Sequence, residues 1–285
     1  MKIVNELVDN SIEGRSVIEI GPGPGSLTRV LLPKYPKMTA IEIDQRAIKF
    51  LNEKLPSLNV IHQDVLTVDW PNIAAERDGP VNIIANLPYH IVSQVLFTLA
   101  DSHKAINKAI VTTQYEVAER IVAKPSTKEY GILSVVFQLY ATPRMNFKIP
   151  PTVFYPQPKV DSALVTIDFT KPHPGIYSVD PLYLKKVIHT AFRQRRKMIR
   201  ASLKELIATD GLSLPEKWAQ LRPEQLNPAQ FIELTNDLYL NSKVSYSKRM
   251  EPVNSSDEAT KSNYASEKPH IWRDSKQKDR KQYEL

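Results

Sequence analysis

The sequence predicts an α/β fold in which a doubly wound parallel sheet is followed by a small, all-helical domain. An apolar run at 17–20 leads into Gly21-Pro22-Gly23-Pro24-Gly25, and 26–32 follows at helical spacing, which indicates a strand, a glycine turn and a helix. Further strand and helix patterns then alternate as far as residue 113. Helical periodicity alone remains at 181–209 and 228–240, so helices complete the fold.

The remaining elements follow from short apolar runs and their flanking residues. We expect strands at 38–43, 58–62, 81–85 and 109–113, and helices at 45–55 and 91–100. A polar stretch at 67–79 is expected to be a loop. Residues 133–140 fit either a helix or a strand, whereas 160–169 alternate apolar and polar residues like an antiparallel strand.

Composition limits the class of protein. The 285 residues are 42% hydrophobic, which suits a globular protein with two cores. A formal charge of +7 suggests a polyanionic partner. The absence of cysteine excludes a disulfide framework and a thiolate metal site. No apolar run approaches the roughly 18 residues that cross a bilayer, so no membrane partner is expected.

Proline and charge mark the expected domain boundaries. The segment Lys171-Pro172-His173-Pro174-Gly175 separates a first domain, 1–170, from a helical domain, 171–240. Aliphatic residues become rare after 240, so 241–285 is expected to be a disordered basic tail.

Two carboxylates end successive predicted strands. Glu42 closes the second strand, where an acid in a Rossmann-like sheet accepts hydrogen bonds from ribose hydroxyls. A solvated carboxylate is the alternative. Asp64 follows the third strand, where it could accept from the exocyclic amine of an adenine or cap a helix.

The segment Asn86-Leu87-Pro88-Tyr89 is the most specific chemical signal. Pro88 fixes the turn after a buried strand and leaves the Leu87 carbonyl free to point into a cleft. Together with the Asn86 side-chain oxygen it offers two acceptors to a planar NH2 group, while Tyr89 offers a ring face to a base. An ordinary surface turn is the alternative.

The segment 128–135 resembles the bacterial and organellar branch of the ribosomal RNA adenine dimethyltransferase family more than its eukaryotic cytosolic branch. Four other segments together resemble the family as a whole. They are 19–28, Asn86–Tyr89, Phe154-Tyr155-Pro156-Gln157-Pro158-Lys159-Val160-Asp161-Ser162 and Ala191-Phe192-Arg193-Gln194-Arg195-Arg196-Lys197, and the likeness covers about 3–240. The resemblance implies a class I methyltransferase sheet, S-adenosylmethionine as cofactor, and two methylations of adenine N6. The implied substrate is a pair of adjacent adenosines in the 3′-terminal hairpin loop of small-subunit rRNA, on a pre-small ribosomal subunit, with a role in ribosome biogenesis.

The resemblance also assigns roles to residues. For the cofactor it implies Glu19, Gly21, Gly23, Gly25, Glu42, Ile43, Asp64, Val65 and Asn86. For the target base it implies Asn86, Leu87, Pro88, Tyr89 and Phe154. Two acceptors at N6–H favour a pyramidal nitrogen with a localised lone pair, and the sulfonium methyl is already activated. Alignment therefore matters more than a strong base, and no metal is expected.

A basic cluster is the candidate RNA contact. Between 185 and 204 eight basic residues occur without an acid, where a solvated helix face normally mixes signs, so phosphate binding is favoured. They are Lys185, Lys186, Arg193, Arg195, Arg196, Lys197, Arg200 and Lys204. We expect the protein to act as a monomer.

Other functions fit parts of the pattern. One is a non-catalytic RNA or DNA binder, such as an assembly factor or a mitochondrial transcription factor of the same family. A DNA adenine methyltransferase is another, although no target-recognition domain is recognisable. The family's Gly-Gln-Asn-Phe-Leu type lead-in would precede Met1, so we expect either a truncated chain that has lost any transit peptide or an unusually open site. A mitochondrial or plastid location is expected, with bacterial cytoplasm as the alternative.

Overall fold

The computed structural model describes residues 2–240 and Trp272. The chain divides into two compact units, Met1–Pro174 and Gly175–Leu285. The expected tail at 241–285 lies outside the described residues except for Trp272. That side chain is only 2% exposed and stacks on His189 with the ring centroids 5.9 Å apart. Across the described residues, every helix is too short or too polar to span a bilayer.

The first unit is built on a seven-stranded sheet of order β3-β2-β1-β4-β5-β7-β6. Its strands are β1 Val17–Ile20, β2 Thr39–Glu42, β3 Asn59–His62, β4 Val81–Asn86, β5 Ile106–Gln114, β6 Thr142–Ile149 and β7 Ser162–Asp168. The first five are parallel, and β7 runs antiparallel to both β5 and β6. The α/β sheet is thus confirmed, with a mixed edge. Every residue of β1 is buried, as expected for a strand covered on both faces.

Seven α-helices belong to this unit in the described part of the chain. They are α1 Lys2–Asn5, α2 Thr28–Leu31, α3 Gln45–Lys54, α4 Trp70–Glu76, α5 Tyr89–Asp101, α6 Tyr115–Val122 and α7 Ile132–Tyr140. The ambiguous run at 133–140 is therefore a helix. The helix expected at 26–32 is shorter at both ends.

Two elements differ from the sequence prediction. The expected loop at 67–79 contains α4, because Asp69 caps it by accepting from Asn72 N and Pro71 occupies its first turn. Trp70 is fully buried there, so an apolar anchor holds the helix. Strand β6 was not predicted, because Pro143 and the polar residues around it break the pattern; it lies at the edge of the sheet, where proline is tolerated.

The register of the sheet brings the predicted site together. Ile20 of β1 is level with Ile41 of β2 and with Ala85 of β4. The residues that follow, Gly21, Glu42 and Asn86, therefore emerge side by side at the carboxyl edge of the sheet. The backbone N–H of Gly21 donates to the Ile41 carbonyl over 2.9 Å, which extends the ladder into the turn.

Every regular element among the described residues of the second unit is a helix. Its α-helices are α8 Pro181–Arg193, α9 Ile199–Ser202, α10 Lys204–Asp210, α11 Glu216–Ala219 and α12 Pro228–Leu240. Asp180 caps α8 by accepting from Leu182 N and Tyr183 N. The rings of Phe192 and Phe231 stack 5.7 Å apart and join α8 to α12. The expected all-helical domain is confirmed.

Candidate active site and RNA contact

The glycine turn joins β1 to α2 in a conformation that favours glycine. Gly21, Gly23 and Gly25 have φ of 65°, 52° and 79°. A Cβ added at Gly23 would meet nothing within 4 Å, so space above the turn is open. One added at Gly25 would lie 2.9 Å from Leu51 Cδ2 of α3. The third glycine thus permits close helix packing, and the second leaves room for a ligand.

Glu42 is fixed against this turn. It is 8% exposed, and its Oε2 accepts from Gly23 N over 3.1 Å. Its Oε1 accepts from Ile43 N at 2.8 Å and Asp44 N at 2.9 Å. Three backbone donors therefore hold the carboxylate in one orientation, which a solvated surface acid would lack. Further lone-pair capacity remains for a ligand hydroxyl.

Glu19 is a buried acid without full hydrogen bonding. It is 2% exposed, and its Oε2 has no hydrogen-bond partner among the described residues. Burial raises the pKa of this carboxyl to about 7, the nearby Thr28 hydroxyl opposes the rise, and the charge of Glu42 adds to it. An unpaired buried carboxylate oxygen is costly, so the site suits a donor or cation supplied from outside.

Ile43, Asp64 and Val65 extend this edge of the sheet. Ile43 is 61% exposed and offers an apolar surface next to Glu42, whereas Val65 is buried. Asp64 Oδ1 accepts from Leu66 N over 2.9 Å and caps a short 3-10 turn. The capping alternative for Asp64 is therefore realised, and its role towards an adenine stays a prediction.

The Asn86–Tyr89 segment forms the turn between β4 and α5. Asn86 is exposed at the last position of β4, and its side chain makes no hydrogen bond to any described residue. Leu87 is buried and anchors the turn, so its side chain is directed into the protein. The half-buried Tyr89 begins α5, and its hydroxyl lies 2.6 Å from Ser162 Oγ. Sequence reasoning included Ser162 in the segment 154–162 but gave it no role, because a serine at the start of a strand does not reveal its tertiary partner.

Phe154 lies in the loop between β6 and β7. Its half-buried side chain packs against the edge of the core cluster that contains Ile84 and Ile110. Within the described residues its ring makes no stacking contact with Tyr89. The two rings are therefore not brought together here, and their joint hold on a base stays a prediction.

The basic cluster at 185–204 lies in the second unit. Lys186 forms an ion pair with Asp210 at 2.6 Å and Arg195 with Glu224 at 2.9 Å, so acids from outside the segment balance two of the eight charges. Lys185 and Arg195 are half-buried. Five members are exposed and form no ion pair with another described residue: Arg193, Arg196, Lys197, Arg200 and Lys204.

Comparison with known proteins shows which family the sequence matches. Residues 1–239 match the family model described as ribosomal RNA adenine dimethylase. A ribosomal RNA small subunit methyltransferase A of Salinibacter ruber is 43% identical over 225 residues, 78% of this chain and 75% of the relative. One of Chlorobium phaeobacteroides is 38% identical over 229 residues, 79% of this chain and 84% of the relative.

Solved structures share the fold. A dimethyladenosine transferase from Plasmodium falciparum superposes with a TM-score of 0.61 at 24% identity, over 76% of this chain and 87% of that one. The 23S rRNA methyltransferase ErmE gives 0.57 at 24% identity, over 83% and 95%. Three observations indicate the same family: the order of the motifs along the chain, the sheet that brings them together, and the match across nearly all of the described residues. The chain belongs to the ribosomal RNA adenine dimethylase family.

Proposed function

We propose that this protein transfers methyl groups from S-adenosylmethionine to adenine N6 in small-subunit rRNA, twice at each target base. Family membership and the names of the curated relatives support the reaction and the RNA class. The observation that carries the proposal is Asn86. It is an exposed amide without a partner among the described residues, and it emerges at the edge of the sheet beside the glycine turn and Glu42.

The residues present fit the proposed cofactor. Gly23 leaves open space above the turn, and Glu42 is oriented to accept from ribose hydroxyls. The unpaired Oε2 of Glu19 suits the ammonium of the cofactor's methionine part. When bound, the cofactor would supply a methyl group activated by a sulfonium.

The protein's task at the target base is alignment. Adenine N6 is a weak nucleophile because its lone pair is delocalised into the ring. The Asn86 side-chain oxygen and the Leu87 carbonyl would accept hydrogen bonds from its N–H groups, two in the first transfer and one in the second, and favour the pyramidal form. Interactions of this kind strengthen as the transition state forms, so they raise the turnover rate rather than substrate affinity.

Base capture requires stacking. Extruding a base from a hairpin loop costs only a few kcal/mol, since loop bases are partly unstacked. Stacking on Tyr89 would recover about 1–3 kcal/mol. The five exposed basic residues that form no ion pair with another described residue would bind RNA phosphates without reading sequence. Adjacent adenosines in the 3′-terminal hairpin loop, on a pre-small ribosomal subunit, are the proposed target.

Labelled methyl transfer to unmethylated small ribosomal subunits tests this function. Digestion to nucleosides should yield N6,N6-dimethyladenosine, and Asn86→Ala should abolish most of the label. Asn52→Ala, an exposed asparagine of α3, is the matched control and should keep full activity. RNA binding without any transfer by the wild type would contradict the proposal and favour a non-catalytic binding factor.

A further inference from the structure

We propose that Ser162 is a positioning residue that sets the plane of the Tyr89 ring and links it to the loop bearing Phe154. This rests on the proposed function, in which Tyr89 stacks on the target base. The two residues lie in separate segments of the sequence, 73 positions apart, and nothing along the chain indicates that they touch.

The contact itself is well defined. The Tyr89 hydroxyl and Ser162 Oγ are 2.6 Å apart, at the short end for a hydrogen bond between hydroxyls. Ser162 is fully buried, whereas Tyr89 is half-buried at the first position of α5. A tyrosine has two side-chain torsions, so a fixed hydroxyl and a fixed backbone leave the ring little freedom. The exposed part of that ring is thereby held ready for a base.

The backbone of Ser162 is fixed from both sides. It is the first residue of β7 and is level with Gln114 of β5 and with Ile149 of β6. Ile149 and Ser162 also delimit the loop at 150–161 that carries Phe154. The Tyr89 hydroxyl is therefore bonded to the residue that closes this loop.

Neighbouring contacts hold the same end of the loop. The Asp161 carbonyl accepts from Tyr115 N over 2.9 Å, and the Asp161 carboxylate pairs with Lys148 Nζ at 2.7 Å. The Lys148 ammonium also lies 5.0 Å from the centroid of the Tyr115 ring. These contacts fix where the loop rejoins the sheet. A displacement of the closing residue would be shared by Tyr89 and the Phe154 loop.

A double-mutant cycle tests the proposal. Tyr89→Phe and Ser162→Ala each remove the hydrogen bond and leave the ring in place. Each should lower kcat by roughly 3- to 10-fold, the scale of one neutral hydrogen bond, with little change in RNA or cofactor affinity. The double variant should be no slower than either single one, because all three lack the same bond.

A second measurement separates positioning from a purely structural role. An RNA hairpin with 2-aminopurine at the target adenosine should lose fluorescence when the base stacks on Tyr89, and less so with either variant. Tyr35→Phe is the matched control, since the Tyr35 hydroxyl donates to the Leu7 carbonyl at 2.8 Å in a buried position. This variant should lower only the stability of the protein, and both kcat and the quenching of the 2-aminopurine probe should stay as in the wild type.

The outcomes are distinguishable. Variants with wild-type kcat and quenching, or with additive effects in the double variant, would overturn the role of Ser162 while leaving the proposed function intact. A wild type that neither transfers methyl groups nor quenches the probe would overturn the proposed function itself.

Discussion

Glu19 makes the stability of the free protein depend on pH. Burial raises its pKa from 4.5 to about 7, so between these values the folded state retains a proton that the unfolded chain has lost. Stability then falls as pH rises, by about 1.4 kcal/mol per pH unit at most. The contribution is fully present below pH 4.5 and lost above about pH 7, which amounts to about 3 kcal/mol.

Glu19→Gln isolates this effect. Glutamine resembles the protonated acid and does not titrate, so the variant should match the wild type near pH 4 and exceed its stability by about 3 kcal/mol at pH 8. Urea unfolding of both proteins without cofactor, followed by circular dichroism at several pH values, measures the difference. Carboxylates that do not interact with Glu19 contribute equally to the pH dependence of the two proteins and cancel. A difference that is independent of pH would refute the reasoning.

Three further predictions concern the two binding surfaces. Glu42→Ala should weaken S-adenosylmethionine binding by about 2–3 kcal/mol in calorimetry, because hydrogen bonds to a charged acceptor are lost. An unchanged affinity would contradict the assignment of Glu42 to the cofactor site. Gly23→Ala should impair cofactor binding and cost only about 1–2 kcal/mol of stability, whereas Gly25→Ala should unfold more readily because its Cβ would overlap α3. Thermal melts and cofactor titrations compare the two variants. Cofactor binding by Gly23→Ala as tight as that of the wild type would argue that the cofactor does not lie against the turn. Arg196→Ala combined with Lys197→Ala should weaken binding to all RNAs and flatten the salt dependence by roughly two units of slope, while an unaltered slope would make the cluster a solvated face.

Local patterns made much of the site predictable. The glycine turn, Glu42 and the Asn86 segment are each encoded within a few residues, and parallel strands bring their carboxyl ends to one edge. The sheet could be anticipated for the same reason. Edge strand β6 could not, because an edge tolerates Pro143 and polar residues that a central strand excludes.

Long-range pairs were beyond the reach of sequence patterns. The basic segment contains no acid of its own, yet folding brings Asp210 to Lys186 and Glu224 to Arg195. Likewise, the bond between Tyr89 and Ser162 depends on how β7 pairs in the sheet. Such contacts arise from tertiary packing, which the spacing of residues along the chain does not report.

The role of Asn86 is tested most directly by comparing single-turnover methyl transfer with RNA affinity for Asn86→Ala and the wild type. If the amide acts mainly in the transition state, transfer should slow by about 10²–10³, the effect of removing one positioned polar group. RNA affinity should stay within about twofold, because phosphate contacts supply most of it. A variant that methylates adenine at the wild-type rate, or one that loses RNA affinity as much as rate, would contradict the account.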